Sequence, residues 1–218
     1  MKYKLIIFDI DGTITGHISS WRYIHEKLGL WDEIACRYQK RFLAGKISYR
    51  DFCELDAAHW KGMREDRIRR VFRKARFSRN AGKCIKKLKA RGFKLAAIST
   101  GLQYMADRVK KELGFDLVSS NRLIARRGRL TGGVVINISY GGKGLILKKI
   151  MKRFSVRPSE VISVGDSRGD IPLFEHSGYS IAFNSSDRKL SRIADYECRT
   201  RDFEEVYRKI EEISRGRK

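Results

Sequence analysis

Four short apolar segments, each ending in small or polar residues, constrain the fold of this 218-residue chain more than any other feature. The segments are residues 4–10, 92–99, 161–164 and 180–183. The stretches between them carry apolar residues at helical spacing, and such alternation of strand and helix is typical of a parallel sheet covered by helices. The sequence therefore predicts an α/β fold, in which ligands bind at the carboxyl ends of the strands.

The region between the first two apolar segments has a different character. In residues 18–79 the apolar side chains recur every three or four positions, and no convincing strand interrupts them. We therefore predict a helical cap domain over residues 18–79 and a core domain formed by residues 1–17 and 80–218. Residues 121–138 alternate between apolar and polar side chains around several glycines, which indicates a β-hairpin.

The charge of the chain is strongly unbalanced. It carries 48 Lys and Arg against 25 Asp and Glu, a formal net charge of +23. Such an excess suggests nucleic acid, an anionic membrane surface or anionic small molecules as partners. Residues 64–94 hold 14 of the basic residues, but helical spacing of their apolar residues places the charges on the outer faces of two amphipathic helices. We favour a solvated surface there, and a basic nucleic-acid-associated protein remains the alternative of another class.

The sequence also bounds the cellular context. No segment approaches the roughly 18 apolar residues needed to span a bilayer, and Asp9 and Asp11 interrupt the apolar start too early for a signal peptide. We therefore expect a cytoplasmic protein with no membrane partner. The four cysteines are scattered without metal-ligand spacing, which favours free thiols over a zinc site or a disulfide framework. The sequence carries no indication of the oligomeric state.

Two pairs of carboxylates follow two of the predicted strands. Asp9 and Asp11 are two residues apart at the end of the first strand, where Gly12 permits a sharp turn. Asp166 and Asp170 are four residues apart after the third. Converging carboxylates repel one another, and a hard cation such as Mg²⁺ relieves that repulsion. The two pairs could close one metal site, although Asp170 alone would also suit the first turn of a helix.

Other polar residues at strand and helix ends suit a phosphate group. Ser99, Thr100 and Gly101 offer a hydroxyl group and backbone N–H groups at the end of the second strand. Lys143 lies among three glycines before the helical pattern of residues 145–154 and could add a fixed positive charge.

Taken in order along the chain, these segments resemble the four motifs of the haloacid dehalogenase superfamily of phosphatases. The first motif is residues 9–13, the second is Ser99, the third is Lys143, and the fourth is Asp166 with Asp170. The chain is most similar to the phosphoserine phosphatase branch, which carries a helical cap between the first and second motifs. The resemblance implies a Rossmann-like parallel sheet core with a small helical cap. It also implies a Mg²⁺-dependent phosphomonoester hydrolase that acts on a small phosphorylated metabolite.

The resemblance further implies a phosphoryl transfer in two steps. Asp9 would attack phosphorus to form an aspartyl-phosphate. Asp11 would protonate the leaving oxygen and then activate water. The dehalogenases of the superfamily lack this second acid, so the resemblance disfavours dehalogenation.

The same resemblance assigns the remaining polar residues to metal and phosphate. At the metal site, Mg²⁺ would be held by Asp9, the Asp11 carbonyl group and Asp166, and Asp170 would orient a metal-bound water. The phosphate oxygens would be held by Ser99, Thr100, Gly101 and Lys143.

The predicted cap departs from the phosphoserine phosphatase pattern at two positions. That branch usually places a Glu in the first cap segment to bind the substrate amine, and the position falls at or near Ile18. It also uses a cap Arg for the substrate carboxylate, where this chain has Asp56, although Arg50 could take that role. The candidate substrate residues are therefore Tyr49, Arg50 and Asp56. A true phosphoserine phosphatase of serine biosynthesis is the alternative interpretation.

The predicted cap is also rich in aromatic residues. These are Trp21, Tyr23, Tyr49, Phe52 and Trp60. They could line a pocket for a hydroxylated substrate, or they could form the small core of the cap. We favour the core.

Overall fold

The computed structural model describes residues 2–17 and 19–215 of the chain. Its strands in these ranges are β1 (Leu5–Phe8), β2 (Lys94–Leu102), β3 (Leu117–Arg126), β4 (Arg129–Val135), β5 (Val161–Gly165), β6 (Tyr179–Phe183) and β7 (Tyr196–Cys198). They form one sheet in the order β4-β3-β2-β1-β5-β6-β7. Strand β4 is antiparallel to β3, and all the other neighbouring strands pair in parallel. The α/β fold expected from the sequence is therefore confirmed.

Helices connect and cover the strands. They are α1 (Ser20–Leu28), α2 (Glu33–Leu43), α3 (Tyr49–Ala58), α4 (Glu65–Arg73), α5 (Ala81–Ala90), α6 (Gln103–Leu113), α7 (Lys143–Phe154), α8 (Ile171–Phe174), α9 (Arg188–Ile193) and α10 (Phe203–Arg215). Two short 3₁₀ helices span Pro158–Glu160 and Arg168–Asp170. Among the described residues, no helix has both the length and the apolar composition that a membrane crossing requires.

Strand β1 lies at the centre of the sheet and is buried on both faces. Ile6 and Phe8 belong to a core that also contains side chains of α5, α6 and α10. Leu5 and Ile7 point to the opposite face, where side chains of α7, α8 and α9 complete a second core. Burial of each aliphatic side chain contributes roughly 1.5–3 kcal/mol to the stability of the fold. Since both faces of a central strand are buried, its residues are apolar in succession and do not alternate with polar ones. Asp9 follows directly, so its acid is fixed to the most buried strand.

Helices α1 to α4 occupy most of the segment for which we predicted a cap. Each of the first three begins at a residue whose side chain accepts a hydrogen bond from the first helical turn: Ser19, Asp32 and Ser48. Ser48 and Asp51 form a reciprocal capping box. The division of the chain into core and cap stays a prediction, and the word cap below denotes residues 19–79.

The predicted hairpin is present as β3 and β4, and it contacts the cap. The backbone N–H of Gly62 donates to the Leu130 carbonyl group at 2.8 Å, and the Leu130 N–H donates to the Met63 carbonyl group at 2.8 Å. The N–H of Glu65 donates to the carbonyl group of Gly128, at the hairpin turn, at 2.9 Å. The connection between α3 and α4 is therefore held by the end of the hairpin.

The strands differ from the sequence prediction in three places. Strand β2 does not end at Ser99 but continues to Leu102, with a register shift after Ile98 that leaves Leu102 opposite Asn121. Strand β3 begins at Leu117, before the predicted hairpin, because it also pairs in parallel with β2. Strand β7 was not predicted, since three residues are too few to show a period of two.

Candidate active site

The first and fourth motifs meet because their strands are neighbours. Strand β1 lies between β2 and β5, and Phe8 stands opposite Val164 of β5. The backbone N–H of Asp9 donates to the Val164 carbonyl group at 2.9 Å, which continues the pairing by one residue. Asp9 and Asp166 therefore leave adjacent strands at the same edge of the sheet.

Three carboxylates of this edge form one cluster. Oxygens of Asp9, Asp166 and Asp170 lie within 4.8 Å of one another. Asp170 is held by its own loop, because its Oδ2 accepts hydrogen bonds from the backbone N–H groups of Asp166 and Ser167, both at 3.1 Å. The structure thus brings together three of the four acids that the sequence singled out. The fourth, Asp11, lies to one side.

Lys143 enters the same cluster from the first turn of α7. Its Nζ lies 2.5 Å from Asp9 Oδ1 and 2.6 Å from Asp170 Oδ1, and all three side chains are buried. The flanking Gly142 and Gly144 allow the start of α7 to lie close to neighbouring segments, since a Cβ at Gly144 would lie 3.2 Å from the Pro172 side chain. One buried ammonium group therefore serves two of the three acids.

Burial and mutual repulsion set the protonation of this cluster. Burial raises the pKa of Asp9 to about 7, with Lys143 opposing the rise and Asp170 adding to it. Burial, together with the charges of Asp9 and Asp170, raises the pKa of Asp166 well above its ordinary range. For Lys143, burial would lower the pKa, but the charges of Asp170 and Asp9 outweigh burial and raise it. Lys143 is therefore positively charged, and its single charge does not balance the charges of the three carboxylates.

The cluster fits a divalent metal ion. Its donors are carboxylate oxygens, which suit a hard cation, and one lysine leaves three acids incompletely neutralised. Two glycines make the approach of these acids possible. A Cβ at Gly12 would lie 2.3 Å from Asp166 Oδ2, and a Cβ at Gly165 would lie 2.5 Å from Asp170 Cγ.

The Asp11 side chain points toward the segment between β1 and α1, and not toward the carboxylate cluster. Its Oδ1 lies 3.1 Å from His17 Nε2, and its Oδ2 accepts a hydrogen bond from the Ser20 N–H at 2.7 Å. Burial would raise the pKa of Asp11, but the hydrogen bond and charge of His17 and the hydrogen bonds of Ser20 outweigh it and lower the pKa. The second acid is thus bound to the segment that leads from β1 into α1.

The second motif approaches Asp11 through a glycine. A Cβ at Gly101 would lie 2.3 Å from Asp11 Oδ2, 2.4 Å from Ser20 Oγ and 3.0 Å from Ser99 Oγ. The Gly101 N–H donates to Ser99 Oγ at 2.9 Å, so the loop holds its own hydroxyl group in place. Asp11, Ser20 and Ser99 therefore surround Gly101, where only a glycine fits without displacing them.

The carbonyl group of Thr100 ties this loop to the cap. It accepts hydrogen bonds from Trp21 Nε1 at 3.2 Å, from the Tyr49 hydroxyl at 2.7 Å and from Asn121 Nδ2 at 2.9 Å. Trp21 and Tyr49 lie on α1 and α3, whereas Asn121 lies on β3. The hydroxyl of Tyr49, a predicted substrate residue, is therefore engaged between the cap and the second motif.

The other two candidate substrate residues lie elsewhere on α3. The Arg50 side chain is mostly exposed, and its Nη1 lies 3.3 Å from Glu54 Oε1. Asp56 is buried inside the cap, with its Oδ1 3.4 Å from His25 Nε2, because its position four residues after Phe52 places both on the inward face of α3. The structure does not bring Asp56 to the carboxylate cluster. Ile18 lies outside the described residues.

The aromatic residues of the cap pack mainly against one another. Trp21, Phe52 and Trp60 are buried, and the rings of Trp21 and Trp60 stack with centroids 5.9 Å apart. Tyr23 stacks on His17 with centroids 4.6 Å apart. These contacts support the interpretation that the aromatic residues form the core of the cap.

Sequence reasoning missed His17 and Ser20 as partners of Asp11. Neither belongs to a motif, and His17 is one of four scattered histidines. The sequence offered only their position as a signal, since both residues follow closely after the first motif, which ends at residue 13. Asn121 was noted only as part of a segment, and its hydrogen bond to a main-chain carbonyl group has no sequence pattern.

Comparison with known proteins agrees with this geometry. A family profile described as haloacid dehalogenase-like hydrolase matches residues 6–175. The phosphoserine phosphatase of Methanocaldococcus jannaschii is 30% identical over 210 residues, which cover 96% of this chain and 98% of that protein. The phosphoserine phosphatase of Archaeoglobus fulgidus is 31% identical over 195 residues, which cover 88% of this chain but only 55% of that protein.

Solved structures give the same result. A phospho-aspartyl intermediate analogue of phosphoserine phosphatase superposes with a TM-score of 0.83 at 29% identity, covering 95% of this chain and 99% of that one. A substrate-bound phosphoserine phosphatase complex also gives a TM-score of 0.83 at 29% identity, with 95% and 98% coverage.

Proposed function

This chain belongs to the haloacid dehalogenase-like hydrolase family and is a phosphoric monoester hydrolase, and we propose that Asp9 transfers the phosphoryl group of a small phosphorylated metabolite to water. The observation that carries the proposal is the buried contact of Lys143 with Asp9 and Asp170, beside Asp166. A nucleophilic carboxylate, a fixed cation and further acids at one sheet edge are what phosphoryl transfer requires.

The first step uses Asp9 and Asp11. A carboxylate oxygen of Asp9 forms a bond to phosphorus while the bond from phosphorus to the ester oxygen breaks. Asp11 gives a proton to the leaving oxygen, so that the alcohol departs neutral. Because His17 and Ser20 lower the pKa of Asp11, this carboxylate must take up that proton when the anionic monoester binds beside it. The product on the enzyme is an aspartyl-phosphate at Asp9.

The second step returns both acids to their starting states. Asp11 takes a proton from water, whose oxygen attacks phosphorus and releases Asp9 and inorganic phosphate. Ser99 and Lys143, with the backbone N–H group of Thr100, would hold the non-bridging oxygens in both steps, and the Gly101 N–H, which donates to Ser99 Oγ, would orient that hydroxyl group. Ser99 and Lys143 are buried, which keeps these two donors in place without water to reorganise.

We infer that the carboxylate cluster holds Mg²⁺. Asp9, Asp166 and Asp170 would supply side-chain oxygens, and Asp11 would supply its backbone carbonyl group. When bound, the ion would offset the negative charge of the phosphate and of the three acids.

Phosphoserine is the second candidate substrate. Two observations favour it: the relatives named phosphoserine phosphatase match almost the full length of this chain, and one matched structure is named as substrate-bound. The cap of this chain differs where a charged clamp for an amino acid is expected, because Arg50 faces solvent beside Glu54. We therefore propose a small phosphorylated metabolite in general, with phosphoserine as its most specific form.

The assignment of Asp9 is tested with a pair of amide substitutions. Asp9→Asn removes the nucleophilic charge, whereas Asp107→Asn makes the same chemical change at an exposed position of α6. Hydrolysis of an aryl phosphate with Mg²⁺ should be abolished in the first variant and unchanged in the second. Activity retained by purified, folded Asp9→Asn protein would overturn the assignment.

The substrate is tested with a panel of phosphorylated metabolites assayed with Mg²⁺. If phosphoserine is the substrate, its kcat/KM should exceed that of the other monoesters by a large factor. Equal rates on phosphoserine and on unrelated monoesters would exclude it, while leaving the phosphatase assignment intact.

A further inference from the structure

The basic segment at residues 64–94 consists of two surfaces with different charge balance. Two of the four cations of α5, and the residue that ends the helix, have acidic partners within 4.0 Å. Lys87 Nζ lies 3.6 Å from Glu204 Oε1, and Lys89 Nζ lies 3.2 Å from Asp116 Oδ1. Arg91 pairs with Glu211 of α10. These acids neutralise the part of the α5 surface that faces α10 and Asp116.

Helix α4 and the residue that ends it are not neutralised in the same way. Arg69 and Arg70 pair with acids at the start of their own helix, Glu65 and Asp66, at 2.7 and 3.0 Å. Arg67, Arg73 and Lys74 are exposed, and within residues 2–17 and 19–215 none of the three has an acidic partner within 4.0 Å. Within the described residues, three unpaired cations thus lie together on α4 and at its end, whereas the other unpaired cations of the segment, Arg76, Lys83, Lys86 and Lys94, are spread over α5 and its flanks.

A groove between α1 and α4 gathers this charge around an aromatic ring. Its volume is about 640 Å³. Five basic residues and no acidic residue line it: Lys27, Arg67, Arg70, Arg73 and Lys74. The remaining lining residues are Tyr23, Leu28 and Val71. The groove therefore offers cations for phosphates together with apolar and aromatic surface for a base.

Two smaller cavities along α4 share lining residues with the groove or with each other. One, of about 320 Å³, shares Arg73 with the groove and includes the buried Tyr104, over whose ring the Arg69 guanidinium lies at 5.3 Å. Its lining also contains three acids, Asp66, Asp107 and Glu112. The other, of about 440 Å³, shares Arg69 with it and reaches Arg127 and Arg129 at the hairpin turn, with Glu65 and Asp66 also in its lining. We call the groove and these two cavities the α4 belt, of which the groove is the part without acids.

We propose that the α4 belt binds single-stranded nucleic acid. Its cations follow the length of a helix instead of surrounding one point, so they match a row of phosphates better than a single phosphate group. Tyr23, which is half-buried beside Lys27, supplies the combination of aromatic ring and positive charge that sequence-tolerant single-strand binders use. No lining residue of the belt belongs to the carboxylate cluster, so binding there needs no phosphatase chemistry.

The test measures binding by fluorescence anisotropy with the full chain. The probe is a labelled oligouridylate of about 15 nucleotides, within the site sizes of single-strand binders. Its 5′ end carries a hydroxyl group and the buffer contains EDTA, so the phosphatase site has neither a monoester nor a metal ion. Binding should weaken steeply with salt, with a slope of about −0.7 for each phosphate contacted.

Two charge-reversal variants of equal net charge distinguish binding at the belt from non-specific attraction by the overall charge of +23. The first combines Arg67→Glu, Arg73→Glu and Lys74→Glu. The second combines three reversals on the exposed face of α7: Lys148→Glu, Lys152→Glu and Arg153→Glu. Circular dichroism and aryl phosphate hydrolysis check that both variants are folded.

The α4 variant should lose roughly tenfold or more in affinity and about 2 in salt slope, since three contacts are removed. The α7 variant should lose much less. Equal losses in the two variants would mean that net charge alone attracts the strand, and would overturn the proposal. So would the absence of binding at low salt, or equal displacement of the probe by a nucleoside triphosphate at the same phosphate concentration.

Discussion

At the scale of single residues, the site depends on glycines as much as on acids. Asp11 follows β1 and Ser99 lies on β2, and both side chains come close to Gly101, which has no side chain. The acids themselves were predictable, since two pairs of carboxylates after apolar strands are conspicuous in the sequence. The contact of His17 with Asp11 was not, because it depends on the path of the chain from β1 into α1.

Gly101→Ala should therefore reduce catalysis without unfolding the protein. The new Cβ would lie 2.3 Å from Asp11 Oδ2, so the acid or the loop must shift. A misplacement of about 1 Å costs on the order of 10²-fold in rate, and we expect a loss of that size in kcat/KM. Gly82→Ala is the control, because its Cβ would meet only a Leu113 methyl group at 3.5 Å. Equal activity of the two variants would show that Asp11 tolerates the displacement.

At the scale of elements, the cap, the hairpin and the sheet are joined by side chains that bind main-chain groups. Asn121 of β3 is buried and also exchanges hydrogen bonds with Ile138, donating at 3.1 Å and accepting at 2.9 Å. The elements themselves followed from apolar spacing. Their junctions could not be predicted, since a main-chain acceptor is present at every residue and leaves no mark in the sequence. The inward position of Asp56 likewise depends on which face α3 turns to the cap core.

Asn121→Ala should destabilise the protein more than Tyr49→Phe. The first leaves the buried N–H and carbonyl groups of Ile138 without partners, which costs about 3 kcal/mol or more. The second removes one hydroxyl group from an acceptor that keeps two other donors, which costs about 1 kcal/mol. The free energy of unfolding in urea measures both. A larger loss for Tyr49→Phe would contradict this ranking.

The 3₁₀ helix before β5 predicts a pH dependence of stability. Glu160 accepts a hydrogen bond from the Arg157 N–H at 2.8 Å and pairs with Lys4 at 2.6 Å, and these contacts lower its pKa from 4.5 to about 2. A lowered pKa in the folded state stabilises the protein above the unfolded value of 4.5, and this contribution is lost as the pH falls toward 2. Urea unfolding should therefore show a steeper acid loss for the natural chain than for Glu160→Gln. Parallel profiles would show that the two contacts do not influence folding.

At the scale of the whole molecule, an acidic centre is enclosed by a basic chain. The charge of +23 creates a positive field that would draw a phosphorylated substrate toward the carboxylate cluster. The net charge could be read from the composition, but its distribution over the surface could not. Lys87 and Arg91, on and after α5, pair with acids of α10, and these two segments are far apart in sequence.

Mg²⁺ should raise the melting temperature of the protein, because an ion that binds only the folded state stabilises it. At a concentration of about 100 times Kd the gain is about 2.7 kcal/mol. Asp166→Asn removes one proposed ligand and should abolish the shift, whereas Asp107→Asn should preserve it. EDTA should reverse the shift in the natural chain. An unchanged melting temperature with Mg²⁺ would contradict the metal site independently of any activity measurement.

The three donors that meet at the Thr100 carbonyl group also bear on the speed of turnover. Two of them, Trp21 and Tyr49, belong to the cap, and the third, Asn121, belongs to the sheet. A motion that separates the cap from the sheet to admit a substrate must break the first two hydrogen bonds, and the release of phosphate must break them again. If turnover requires such an opening, its rate would set an upper limit on kcat, however fast the proposed chemistry at Asp9 proceeds.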